Sequence, residues 1–134
     1  MIYLDAPALV TLVAGRTHAT ELETFLASRP ALPLATSTVG LVETVRTLDR
    51  IGSYPTLMAD LVRDFTEILV TEEIRDGAAL LPQGLRTLDA LHVASAQALG
   101  ESLDVLITYD QRMFDVAHAV GLPVAAPGLP GPRE

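Results

Sequence analysis

Four acidic residues stand where a carboxylate is costly to bury or aimed at an exposed strand end. Asp5 directly follows the apolar run Ile2-Tyr3-Leu4, and Asp110 follows the run Val105-Leu106-Ile107-Thr108, two residues after its last member. Both runs read as buried strands. Glu43 lies within Leu41-Val42-Glu43-Thr44-Val45 and Asp89 within Leu88-Asp89-Ala90-Leu91, both apolar and helical in pattern. An ionised acid in such a segment is unfavourable unless paired or coordinated. Gathered in one place, the four would repel one another strongly. A divalent cation relieves that repulsion. With oxygen ligands and no cysteine, Mg²⁺ is the expected ion and Mn²⁺ the alternative. Such a centre suits phosphodiester hydrolysis, because the ion acidifies water and offsets charge on the phosphoryl oxygens.

Each acid also has a local reading. Asp5 could cap a helix opening near Pro7, and Asp110 could cap the helix after it. Asp89 falls in a first turn, where the helix dipole favours negative charge. Glu43 could pair with Arg46 or Arg50. Arg86, Arg112 and Thr108 are candidate substrate contacts. The two arginines could equally offset the acidic cluster, and Thr108 could orient Asp110 or a water, or simply end a strand. His92, three residues after Asp89, invites a general-base role but reads better as a packed histidine. Asp115 reads as a solvated side chain. Met58 and Met113 read as core.

The elements that must position these residues follow from apolar period and punctuation. Strands are expected at Ile2–Leu4, Leu34–Thr36, Ile68–Val70, Asp104–Thr108 and Val124–Ala125. Helices are expected from Pro7 to about Ala14, over His18–Ser28, and from a cap at Ser37 or Thr38 to about Ile51. Further helices are expected from Pro55 through Phe65, over Glu72–Leu81 capped by Thr71, over Leu88–Leu99 capped by Thr87, and from Asp110 to Val120. Strands alternating with helices imply an α/β fold, a parallel sheet flanked by helices on both faces. In such sheets ligands bind beyond the carboxyl ends of the strands, where Asp5 and Asp110 stand.

The chain has 134 residues, 49% of them hydrophobic, which suits one domain with one core. Cysteine is absent, so disulfides, thiolate metal sites and cysteine nucleophiles are excluded. The net charge of −8 runs against the basic footprint usual for nucleic-acid binding. Cations held by the acids would offset part of it. All basic side chains apart from histidine are arginine, which suits bidentate phosphate contacts, although a GC-rich genome gives the same bias. No signal peptide or membrane span is expected, and the cytoplasm is the expected location.

The residues also resemble a known family. Ile2-Tyr3-Leu4-Asp5, Leu41-Val42-Glu43-Thr44-Val45-Arg46, Leu85-Arg86-Thr87-Leu88-Asp89-Ala90-Leu91-His92-Val93-Ala94-Ser95-Ala96 and Leu106-Ile107-Thr108-Tyr109-Asp110-Gln111-Arg112-Met113 resemble, in order, the four acidic motifs of PIN domains. Gly121-Leu122-Pro123-Val124 with Pro127-Gly128 resembles the family's usual ending. The length points to the stand-alone VapC-type toxins. The resemblance implies a Rossmann-like PIN domain, over residues 1–126, and the Pro/Gly-rich composition of 127–134 reads as a flexible tail. It implies Mg²⁺- or Mn²⁺-dependent cleavage of RNA, with Asp5, Glu43, Asp89 and Asp110 as catalytic metal ligands. It implies a homodimer and a cognate VapB-type antitoxin that blocks the site.

One departure bears on activity. Relatives usually carry a small hydroxyl residue just after the first aspartate, whereas this chain reads Asp5-Ala6-Pro7. Losing a group that supports a metal ligand typically costs ~10–100-fold in affinity or rate. A weakened domain that binds RNA or antitoxin is therefore the alternative function. Phosphoacceptor domains of the response-regulator type need a lysine, and the chain has none. Haloacid-dehalogenase-like phosphatases need a second aspartate two residues after the first, and position 7 is proline.

Overall fold

The computed structural model describes residues 1–131. Strand β1 (Ile2–Leu4) leads into helices α1 (Ala6–Ala14) and α2 (Ala19–Ala27). Then come β2 (Leu34–Ser37), α3 (Thr38–Asp49), α4 (Leu57–Asp64) and β3 (Thr66–Ile68). The second half holds α5 (Glu72–Ala79), α6 (Thr87–Ala98), β4 (Val105–Ile107), α7 (Gln111–Ala119) and β5 (Val124–Ala125). All strand pairs are parallel, in the order β3-β2-β1-β4-β5. From the central β1 the chain builds outward through β2 and β3, then crosses back to β4 and β5. The reversal falls between β1 and β4, where Leu4 sits opposite Ile107. That switch point opens a crevice beyond the carboxyl ends of the two strands.

Strand side chains alternate between faces, and the core divides accordingly. Ile2, Leu4 and Ile107 pack with Leu9 of α1, Leu22 of α2, Leu41 and Leu48 of α3, and Leu61 of α4. Tyr3, Ala35 and Leu106 pack on the other face with Ala96 of α6 and Ala117 of α7. Ile74 of α5 joins Val93 of α6 and Met113 of α7 beside them. The layered α/β architecture expected from the alternation is present. Among the described residues, no helix is long and apolar enough to cross a membrane.

Local capping sets most helix starts. Asp5 accepts from the Ala8 N–H, Ser37 from Gly40, Thr71 from Ile74 and Asp110 from Met113. Three expectations are corrected. Strand β3 lies two residues earlier than expected, because Phe65 is buried while Leu69 and Val70 are exposed. Helix α6 begins at Thr87 with Arg86 at the cap position, so Thr87 is not the cap. Met58 is 40% exposed rather than core, since α4 turns Leu57 and Leu61 inward instead. Of the expected tail, residues 132–134 lie outside the described residues. Pro127 accepts from the Tyr109 hydroxyl at 2.8 Å, and Tyr109 stacks on His18.

Gly40 lets α3 approach the sheet. A Cβ there would collide with Thr36 Oγ1 and stand 3.2 Å from His92 Cε1. Thr36 cannot yield freely, because its hydroxyl donates to the Leu4 carbonyl at 2.8 Å. Gly40→Ala is expected to destabilise the domain by about 1–3 kcal/mol, despite alanine's better helix propensity. A urea-unfolding midpoint equal to the parent's would contradict this packing.

Candidate active site

The switch point brings Asp5 and the end of β4 together. Asp5 is fully buried. One carboxylate oxygen accepts from the Ala8 N–H at 2.9 Å, and the other accepts from the Thr108 hydroxyl. Thr108 is itself fully buried, and its Oγ1 also accepts the Asp110 N–H at 3.1 Å. One hydroxyl therefore ties the acid after β1 to the acid after β4. Asp110 in turn accepts from the Met113 N–H at 2.8 Å. Ala6 and Pro7 bring no hydroxyl to Asp5; Thr108 does.

The helical acids close the other side. Asp89 stands in the first turn of α6, mostly shielded, and Glu43 on α3 is half-buried. Glu43 Oε1 accepts from His92 Nε2 at 2.7 Å. Its partner is thus His92, 49 residues away, rather than Arg46 or Arg50. Arg46, Arg50 and Arg112 are exposed and make no ion pair among the described residues. Arg86 reaches over the cluster, with Nε 3.5 Å from Asp89 and a terminal nitrogen 4.0 Å from Asp110. Its side chain is 78% exposed, so solvent screens both pairs. Asp115 binds Gln111 on the surface of α7.

Electrostatics link the acids. Burial pushes the Asp5 carboxyl up to about 6, His92, Thr108 and Ala8 pull it down, and the charge of Asp110 adds to the rise. Burial also raises Asp89, and the charge of Asp110 raises it further. Arg86 and His92 work against that rise, while Glu43 contributes to it. Like charges therefore act across the cluster from strand end to helix. Among the described residues, no three His, Asp or Glu side chains are grouped closely enough to hold an ion as they stand.

The donor set nonetheless fits a hard divalent cation. It consists of carboxylate oxygens, one of them fully buried, under mutual repulsion. Two depressions border it. One of about 520 Å³ is lined by Thr108, Asp110, Phe114 and Asp115. The other, about 740 Å³, is lined by Val42, Glu43, Arg46, Leu69, Val70 and Leu88.

Sequence reasoning missed the polar role of His92. The ring is 1% exposed, and both nitrogens are bonded, Nε2 to Glu43 and Nδ1 to the Tyr3 hydroxyl at 2.8 Å. A signal was available: a histidine inside the apolar run of α6 must find partners once buried.

Comparison with known proteins agrees with this architecture. The family profile described as PIN domain matches residues 2–119. Ribonuclease VapC47 of Mycobacterium tuberculosis is 37% identical over 133 residues, covering 96% of this chain and 98% of the relative. Ribonuclease VapC46 of the same species is 37% identical over 134 residues, covering 94% and 97%. Among solved structures, Mycobacterium tuberculosis VapC20, a sarcin-ricin-loop-cleaving toxin, superposes with a TM-score of 0.73 at 20% identity, covering 95% of this chain and all of that one. A toxin–antitoxin complex from Klebsiella pneumoniae gives 0.72 at 24% identity, covering 95% and 98%. At these identities the structures establish the fold.

Proposed function

The chain belongs to the PIN-domain family, and from that membership we propose that it is a ribonuclease, the toxin of a type II toxin–antitoxin pair. The relatives named ribonuclease span nearly its full length. The observation that carries the chemistry is the Thr108 hydroxyl shared between Asp5 and the Asp110 backbone, which fixes two acids at the sheet's switch point. Asp5, Glu43, Asp89 and Asp110 are the residues that would hold a divalent cation, Mg²⁺ or Mn²⁺. When bound, such an ion acidifies water and offsets charge developing on the phosphoryl oxygens.

The chain's own residues do the rest. Thr108 and the Ala8 N–H fix both oxygens of Asp5, so this acid needs no reordering. Glu43 and Asp89 are partly exposed and face the open side, where an RNA backbone can reach them. Arg86, already lying over Asp89 and Asp110, is placed to meet a phosphate, and Arg112 lies on the first turn of α7 nearby.

A VapB-type antitoxin is the proposed partner. Val42, Leu69, Val70 and Leu88 are exposed together beside Glu43, an apolar surface suited to a polypeptide. Pairing into a homodimer, work in the cytoplasm, and a domain over residues 1–126 with a tail over 127–134 complete the reading. Purified, antitoxin-free protein is expected to cut total RNA in Mn²⁺ or Mg²⁺, leaving 5′-phosphate and 3′-hydroxyl ends, and to stop in EDTA. Undiminished cleavage in EDTA would reject the cation. RNA retained without product would make the domain a binding module.

A further inference from the structure

We propose that Tyr3 and His92 form a buried relay that aims the Glu43 carboxylate into the cluster, making His92 a positioning residue. This rests on Glu43 being a cation ligand. The relay joins three elements that are remote in sequence. The Tyr3 hydroxyl on β1 lies 2.8 Å from His92 Nδ1 on α6, and His92 Nε2 lies 2.7 Å from Glu43 Oε1 on α3. Tyr3 is fully buried and its ring meets the imidazole edge to face, with centroids 5.8 Å apart. Glu43 is 28% exposed, so one end of its carboxylate is anchored in the dry interior while the group reaches the open side.

The hydrogens follow from chemistry. An ionised carboxylate only accepts, so His92 Nε2 carries the hydrogen and donates to Glu43. In the neutral ring Nδ1 is then the acceptor, and the Tyr3 hydroxyl donates to it. A phenol ordinarily loses its proton only near pH ~10, so at neutral pH the Tyr3 hydroxyl is a donor. The Tyr3 contact thus selects the tautomer that Glu43 needs. Gly40, one turn before Glu43, permits the close approach, since even a Cβ there would crowd His92 Cε1.

The test compares His92→Phe, His92→Gln and Tyr3→Phe with the parent by Mn²⁺ titration, followed by electron paramagnetic resonance. Metal-free melting curves confirm folding. His92→Phe is expected to weaken Mn²⁺ binding ~10–100-fold. His92→Gln keeps an N–H that can reach Glu43 and is expected to recover much of the loss. Tyr3→Phe keeps the imidazole and is expected to weaken binding several-fold by freeing the tautomer. Unchanged affinity in both His92→Phe and Tyr3→Phe would overturn the proposal, as would a His92→Gln variant no better than His92→Phe. If His92→Phe does not fold, Tyr3→Phe decides. A parent protein that takes up no Mn²⁺ sinks the cation reading instead, and nitrogen NMR of the metal-free protein then judges the relay. A slowly exchanging His92 Nε2–H that shifts on Glu43→Gln supports it; an Nδ1–H tautomer overturns it.

Discussion

Asp5→Asn is expected to abolish RNA cleavage while leaving the metal-free domain more stable at pH 7 than its parent. The two effects have one cause. Asp5 is a fully buried carboxylate whose ionised form is disfavoured by burial and by Asp110. On the proposed function the cation requires that charge, whereas the metal-free fold is destabilised by it. The amide can keep the Ala8 N–H bond through its oxygen and turn its nitrogen toward Thr108 Oγ1. The Thr108 hydrogen then needs a new acceptor, which offsets part of the gain. A net stabilisation of about 1–2 kcal/mol is expected. Cleavage should fall at least ~10³-fold, on the scale of several kcal/mol of lost transition-state stabilisation. Urea unfolding in EDTA, paired with an RNA assay in Mn²⁺, checks both. A folded variant that still cleaves would remove Asp5 from the site; an inactive variant that is also unstable would make Asp5 chiefly a structural cap.

The metal-free protein is also expected to lose stability as pH rises from about 4 to about 6. An acid whose folded pKa lies above its unfolded value binds more protons in the folded state across that interval. Its contribution is therefore fully present below the unfolded value of 3.8 and lost as pH climbs through about 6. The interval corresponds to about 3 kcal/mol for Asp5, with the raised Asp89 acting in the same direction. Asp64 is lowered by Arg63 and has the opposite sign, but both side chains are solvated and contribute little. Saturating Mn²⁺ should reverse the trend, because it binds the deprotonated acids and adds about 2.7 kcal/mol at a hundredfold excess over its dissociation constant. Chemical denaturation between pH 4 and 7, with and without Mn²⁺, reads both slopes. A metal-free stability that rises steadily with pH, and equally so in Asp5→Asn, would show that Asp5 is not ionised against its surroundings.

The two readings of Asp5, a helix cap and a member of an acidic cluster, turn out to be compatible. A carboxylate has two oxygens, and here one satisfies the Ala8 N–H while the other meets Thr108. Asp110 is likewise both a cap of α7 and a neighbour of Asp5 and Asp89. Local capping rules found the first role, and the position of the acids at strand ends found the second.

The sequence by itself determined the order of elements, the parallel sheet, the acids at its carboxyl ends and the family. These depend on period-two and period-3.6 patterns and on motifs, all readable within a few residues. Only the tertiary structure decided which strands adjoin, where β3 begins, that α4 leaves Met58 in solvent, and that Glu43 answers to His92 and Tyr3. The reason is range. Along a helix, sequence spacing exposes only partners three or four positions away, which is why Arg46 was visible as a partner for Glu43. His92 is on another helix, and β1 delivers Tyr3 to it from the far end of the chain, so their contact exists only once sheet order has been set.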